Sequence, residues 1–253
     1  MTTILFVPGA WITLAAYEPF LQTLSGAGYD TRFAAYPSLD PKDPTAQDVE
    51  ADTKAIASTL KPLVEEEGKD VLIILHSYAG MPGAAAATRL SKTQRAKEGK
   101  AGGVMGLVFI GAFVVPEGLS CAGLQGGNLP LWILLDNPSP NLNLPDDPVG
   151  NFAADVEPEL AKLLVSEIKP HSSLAFTAPQ PHPAWADEEF KGRLAFIVTA
   201  NDPAVPKEAQ YGMMAGSQKE WIVKEIACSH CAPFLNRKDE TLALIREVIS
   251  ELP

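Results

Sequence analysis

Six short apolar runs, each followed by a polar or helically periodic stretch, constrain this chain more than any other feature. They lie at residues 3–7, 31–36, 70–75, 104–113, 194–199 and 220–226. Their near-continuous Val, Ile, Leu and Phe content is what strands buried on both faces require. Between them, Val49, Ile56, Leu60 and Leu63 fall on one helical face ahead of the third run. At the C-terminus Leu242, Ile245, Ile249 and Leu252 do the same, behind an expected Asn236 cap with Asp239 and Glu240 in the first turn. Alternation of this kind implies right-handed crossovers and an α/β architecture: an open, mostly parallel sheet flanked by helices.

One stretch breaks the rhythm. About eighty residues separate the fourth run from the fifth, far more than an ordinary crossover needs. They include Pro138, Pro140, Pro145 and Pro148, an apolar segment at 129–135, and an amphipathic helix carrying Val156, Leu160, Leu163, Leu164 and Ile168. So much apolar surface must be buried, which predicts a helical cap folded over the end of the sheet. The expected division is a core of residues 1–115 and 191–253, with the cap at 116–190.

The charge balance narrows the partners. Twenty Lys and Arg against 31 Asp and Glu leave a net charge of −11. That surplus of acid opposes nucleic acid and anionic membrane surfaces, and favours a neutral or weakly charged small molecule. The apolar N-terminus lacks a basic leader and is interrupted by Pro8-Gly9, and no later run is long enough to span a bilayer. There is no Asn-x-Ser/Thr acceptor, and three cysteines make no disulfide framework, so a cytoplasmic protein is expected. A homodimer is left open. Cys228-Ser229-His230-Cys231 has no second ligand pair at metal-binding spacing, so no metal is expected.

Chemistry concentrates after the third run. Asp70-Val71-Leu72-Ile73-Ile74-Leu75 leads into His76-Ser77-Tyr78-Ala79-Gly80 and then a small-residue helical stretch. A serine between a buried strand and a helix sits on a tight turn that lifts its hydroxyl above the sheet, beside the helix N-terminus. Ala79 and Gly80 supply the small neighbours such a turn needs, whereas Leu75 stands where G-x-S-x-G has its first glycine. A nucleophilic serine needs a base, and in this architecture the chain order is Ser, acid, His. Of the four histidines, His76 adjoins Ser77, His171 and His182 fall in the cap, and His230 follows the last run. His230 is therefore the base. Asp202, leaving the sheet one strand earlier, is the expected acid, with Glu117 in reserve. The turn Pro8-Gly9-Ala10 can aim the Ala10 amide at the same point as the Tyr78 amide, making an oxyanion hole.

Taken together, Val7-Pro8-Gly9-Ala10-Trp11, His76-Ser77-Tyr78-Ala79-Gly80, Asn201-Asp202 and His230 with Pro233-Phe234-Leu235 resemble the α/β-hydrolase superfamily. Within it the chain is similar to small cap-bearing members, the plant methylesterase and hydroxynitrile lyase group and microbial small-molecule hydrolases. The resemblance runs almost end to end, through Lys169-Pro170-His171-Ser172 and Trp185. It implies the α/β-hydrolase fold, a cofactor-free enzyme, Ser77 as nucleophile, His230 as base and Asp202 as orienting acid.

Three functions remain open on that basis. The first is ester or lactone hydrolysis through an acyl-enzyme. The second is a lyase or cyclase using the same triad to move protons, and the third is small-molecule binding without catalysis. Hydroxynitrile lyases of the related group typically carry a threonine where Gly9 stands and a lysine where Cys231 stands, and a thiol supplies no charge for a cyanide leaving group. Trp11, Trp132, Phe176 and Trp185, beside Tyr78, are expected to wall an apolar substrate pocket. Cys231, next to the base on an expected exposed turn, should have a lowered thiol pKa and alkylate readily.

Overall fold

The computed structural model describes residues 2–253. β1 (Thr3–Val7) is buried along its whole length, and α1 (Leu14–Gly26) turns Ala16, Tyr17, Phe20 and Leu24 inward. β2 (Asp30–Phe33) stops at Phe33 rather than Tyr36 and forms a half-exposed edge. α2 (Val49–Lys61) begins at Asp48, whose carboxylate accepts the Ala51 N–H at 2.8 Å. Its inward face carries Val49, Ile56 and Leu60 as expected, and also Asp52. β3 (Asp70–His76), α3 (Pro82–Ala86), α4 (Lys92–Lys97) and β4 (Gly103–Ile110) complete the first half of the core.

The long insertion follows: α5 (Cys121–Leu124), β5 (Ile133–Leu135), β6 (Leu142–Pro145), α6 (Pro148–Phe152), α7 (Pro158–Ser166), β7 (His171–Ser172) and α8 (Leu174–Thr177). It is not the all-helical cap expected, because β5, β6 and β7 form an antiparallel sheet. Prolines hid it from the periodicity. Pro138 and Pro140 lie in the β5–β6 connection, Pro145 ends β6, and Pro148 opens α6. The expected amphipathic helix is α7, which buries Ala161 and Leu164.

β8 (Leu194–Thr199), α9 (Lys207–Ser217), β9 (Ile222–Ile226) and α10 (Lys238–Glu251) close the chain. Asn236 does not cap α10. Its amide instead donates to the Asp155 carbonyl at 3.0 Å, tying the last loop to the insertion.

The main sheet is parallel throughout, in the order β2-β1-β3-β4-β8-β9. The chain moves outward from β1 to β2, then returns to place β3 on the other side of β1. That reversal opens a crevice at the carboxyl ends of β1 and β3. Register then gathers the chemistry at one edge: Val7 lies opposite Leu75, His76 opposite Ile110, Ile110 opposite Ile197, and Thr199 opposite Ile226. The loops carrying Ala10, Ser77, Asp202 and His230 all leave from it, under the insertion. Among the described residues, no helix is long and apolar enough to cross a membrane.

Candidate active site

Ser77 sits at φ 55°, in the left-handed region that a residue with a Cβ rarely enters. The Phe113 N–H donates to its carbonyl at 3.0 Å and holds it there. Gly80 permits that approach, since a Cβ at residue 80 would lie 2.2 Å from the Phe113 carbonyl oxygen. The missing elbow glycine at Leu75 is explained in the same way. The Leu75 Cδ2 fills the space where a Cβ at residue 83 would stand, 2.2 Å away, so Gly83 supplies the clearance. His76 turns away from the hydroxyl, fully buried, with Nδ1 2.8 Å from the Tyr17 phenol oxygen. Burial, then the neighbouring His230, holds it well below the usual imidazole range.

The His230 Nδ1–H donates to Asp202 Oδ2 at 2.6 Å, in a setting where both side chains are all but sealed from water. The Thr199 hydroxyl donates to the same oxygen at 2.7 Å, and the Ala204 and Val205 amides each donate to Oδ1 at 2.9 Å. A carboxylate held by four donors fixes the imidazole's tautomer and leaves Nε2 to take a proton. The pair is pressed against Gly111, which follows β4 at φ 51°. A Cβ there would lie 2.8 Å from Thr199 Oγ1 and 3.1 Å from Asp202 Oδ2. The insertion braces the histidine loop: the Cys231 N–H donates to the Phe152 carbonyl at 2.8 Å, and Asp155 accepts the Ser229 amide at 3.0 Å and its hydroxyl.

The loop after β1 lies directly on the elbow, with room for no Cβ at Gly9: one would meet His76 Nδ1 at 2.7 Å and Ser77 Cβ at 3.1 Å. The Tyr36 phenol donates to the Gly9 carbonyl at 2.7 Å, and the Gly9 N–H donates to the Tyr17 phenol oxygen at 3.1 Å. Ala10 and Tyr78 border the same chamber as Ser77 and His230, walled by Trp11, Trp132, Phe152 and Phe176. The Trp11 indole N–H donates to Asn143 Oδ1 at 2.8 Å and so anchors the wall to β6. The chamber has a free volume of about 20 Å³, space for a water molecule or a small reacting group. Phe113, Gln125, Ala204 and Val205 separate it from an apolar groove of about 300 Å³ between α5 and α9.

Residues 4–244 match the alpha/beta hydrolase family. The chain belongs to that family. It is 27% identical over 253 residues to the alpha/beta hydrolase nvfD of Aspergillus novofumigatus, covering 98% of this chain and 96% of the relative. Its fold is similar to that of a methylesterase from Arabidopsis, with a TM-score of 0.74 at 16% identity and full coverage of both chains. It is also similar to a pyrethroid hydrolase from Sphingobium faniae, with a TM-score of 0.70 at 17% identity over 98% of this chain and 97% of the other.

Within this alpha/beta hydrolase, three expectations are corrected. Trp185 does not reach the chamber. Its short turn lies beside α3, and the ring borders a separate cleft with Lys191 and Lys219. Glu117 does not approach His230, because its carboxylate is 2.6 Å from His182 Nδ1 on the surface. Cys231 is not on an exposed turn. It is 2% exposed, and burial, then the nearby Asp202, pushes its thiol well up rather than down.

Sequence reasoning also missed contributors. Gly111 could have been found as a lone glycine within an apolar run. Asp52 could have been found as a carboxylate on the apolar stripe of α2.

Proposed function

We propose that the protein is a serine hydrolase that cleaves an ester or lactone of a small, largely apolar molecule through an acyl-enzyme. His230 Nε2 takes the Ser77 proton as Oγ attacks the carbonyl carbon, and the Ala10 and Tyr78 amides receive the oxyanion. Collapse expels the alkoxide, which takes the proton from His230. A water then repeats the sequence and frees the acid. Asp202 keeps the imidazole oriented and stabilises its cationic form. The observation that carries this reading is the 2.6 Å bond from His230 to a four-donor carboxylate, on the chamber into which strained Ser77 opens.

The substrate follows from the walls. Trp11, Trp132 and Phe176 suit an apolar reacting end, and the groove beyond Val205 suits a larger apolar remainder. Cyanohydrin cleavage is the poorer reading: Gly9 leaves no room for a threonine side chain, and Cys231 is a buried neutral thiol.

Labelling with a fluorophosphonate, followed by a panel of esters and lactones, tests the proposal. Labelling at Ser77 with ester turnover supports it. Labelling without turnover of any ester or lactone would move the assignment to a lyase, a cyclase or a binder. Ala209→Trp, which fills the exposed groove, should raise KM for bulky apolar esters and spare acetyl esters.

A further inference from the structure

A second polar cluster lies under the elbow, fully buried and unused by the mechanism above. Asp52 on α2, Ser38 after β2 and His171 on β7 are all 0% exposed, and Tyr78 is 1% exposed. Asp52 Oδ1 accepts the Ser38 N–H at 3.0 Å. Asp52 Oδ2 lies 2.5 Å from the Ser38 hydroxyl and 2.6 Å from the Tyr78 phenol. The Ser38 hydroxyl is also 3.0 Å from His171 Nε2, and His171 Nδ1 is 3.1 Å from the Ser172 carbonyl. Main-chain bonds run alongside: Ser172 N–H donates to the Ser38 carbonyl and Asp40 N–H to the Pro170 carbonyl, at 2.9 and 2.8 Å. The cluster thus joins α2, the β2 loop, the elbow and the cap.

Hydrogen counting narrows its protonation to two states. His171 Nδ1 faces a carbonyl and must carry a hydrogen, so Nε2 of the neutral ring is an acceptor. Ser38 has one hydroxyl hydrogen for two neighbours. If it goes to His171, Asp52 must itself be an acid donating to Ser38. If it goes to an ionised Asp52, then His171 Nε2 is left against a lone pair, or must be cationic. The residues facing Asp52 are Tyr36 and Ser38 from the β2 loop, Tyr78 from the elbow, His171 beyond Ser38 on β7, and Asp48 one turn back on its own helix. None is a cation when His171 is neutral, and Asp48 repels a second negative charge. Burial pushes the Asp52 carboxyl up to about 6 and His171 down to about 3, so below about pH 6 the shared hydrogen belongs to Asp52.

We propose that Asp52 is a positioning residue: as a neutral carboxylic acid it holds the Tyr78 turn, and hence the oxyanion amide, through the Tyr78 phenol, and ties that turn to the cap through Ser38 and His171. Ionisation breaks the chain at His171 and places a negative charge on the side chain of an oxyanion-hole residue. The inference rests on the serine-nucleophile reading.

The rate of fluorophosphonate labelling at Ser77 across the pH range, taken as the ratio of mutant to wild type, provides the test. Asp52→Ala and Tyr78→Phe should label at least about ten-fold more slowly, with kcat rather than KM affected where an ester is turned over. Asp52→Asn keeps the shape without the charge: its Nδ2 donates to the Ser38 hydroxyl and to the Tyr78 phenol oxygen, while its Oδ1 accepts the Ser38 N–H. It should match wild type below about pH 5 and exceed it several-fold above about pH 7. A wild-type minus Asp52→Asn infrared difference spectrum should show a protonated carboxyl band at low pH that fades as pH rises.

An Asn variant as slow as the Ala variant, a ratio flat with pH, or no such band overturns the proposal. Should Asp52→Ala not fold, Asp52→Asn and Tyr78→Phe decide it alone. Failure of wild type itself to label at Ser77 would overturn the hydrolase reading and this role together. Normal labelling that is indifferent to Asp52 overturns only the role.

Discussion

Gly111→Ala is the most economical probe of how the sheet holds the Asp202–His230 pair. Residue 111 would keep φ near 51°, which costs a residue with a Cβ about 1–2 kcal/mol. The new methyl would also stand 2.8 Å from Thr199 Oγ1, forcing away the hydroxyl that donates to Asp202 at 2.7 Å. Losing a hydrogen bond to a charged group adds about 1.5 kcal/mol, for a total near 3 kcal/mol. In a chain of this size that corresponds to a fall in Tm of about 6–12 °C by calorimetry. Displaced with Thr199, Asp202 would no longer hold the His230 ring in line, and a misplacement on the order of 1 Å costs about a hundred-fold in rate. Gly212→Ala is the control of opposite sign. A Cβ there meets nothing within 4 Å inside α9, so the variant should gain about 0.5–1 kcal/mol. A Gly111→Ala protein with unchanged Tm and unchanged labelling of Ser77 would refute this account of the junction.

Ser77→Ala should abolish turnover by several orders of magnitude with little change in Tm, and Asp202→Asn should be severe while Glu117→Gln is mild; ester kinetics on the three variants check the order. Because burial raises the thiols, with Cys121 pushed up to about 12, iodoacetamide should modify the native protein slowly and the denatured protein at three sites, read by mass spectrometry. Asp52→Asn should become more stable relative to wild type as pH rises. The folded state keeps the Asp52 proton to about 6 and the unfolded chain releases it near 4, so wild-type stability is fully present below about 4. It is lost as pH rises through about 6, by at most about 3 kcal/mol in denaturant titrations.

The sheet was legible because its strands are buried on both faces. Residues 3–7 and 194–199 match their strands end to end, each a short, almost wholly apolar run buried along its whole length. The run at 104–113 was read three residues too long at its end, because Ala112, Val114 and Val115 remain apolar after Gly111 has turned the chain away. The cap sheet was illegible for the opposite reason. With strands of two to four residues, β5 to β7 are too short for a period of two to show, and β7 pairs with β6 only across the intervening α6 and α7.

The same distinction separates the site residues that could be read from those that could not. Ser77, Asp202 and His230 each follow a strand, so chain order alone locates them once the alternation is seen. Trp185 and Cys231 were misplaced because their surroundings depend on how the insertion folds back, which no local pattern encodes. Cys231 donates its amide to Phe152 in the insertion, and that contact turns an apparent surface loop into a sealed one. Asp52 combines both cases. Its position on the α2 stripe marks it as buried, yet its partners Ser38 and Tyr78, and His171 beyond Ser38, come from three other segments. An unpaired carboxylate on such a face should be intolerable, so its presence implies a buried network before any coordinates are known. What the fold adds is the network's place: beneath the Tyr78 amide proposed to receive the oxyanion, where a mobile hydrogen would alter the site without touching Ser77, Asp202 or His230.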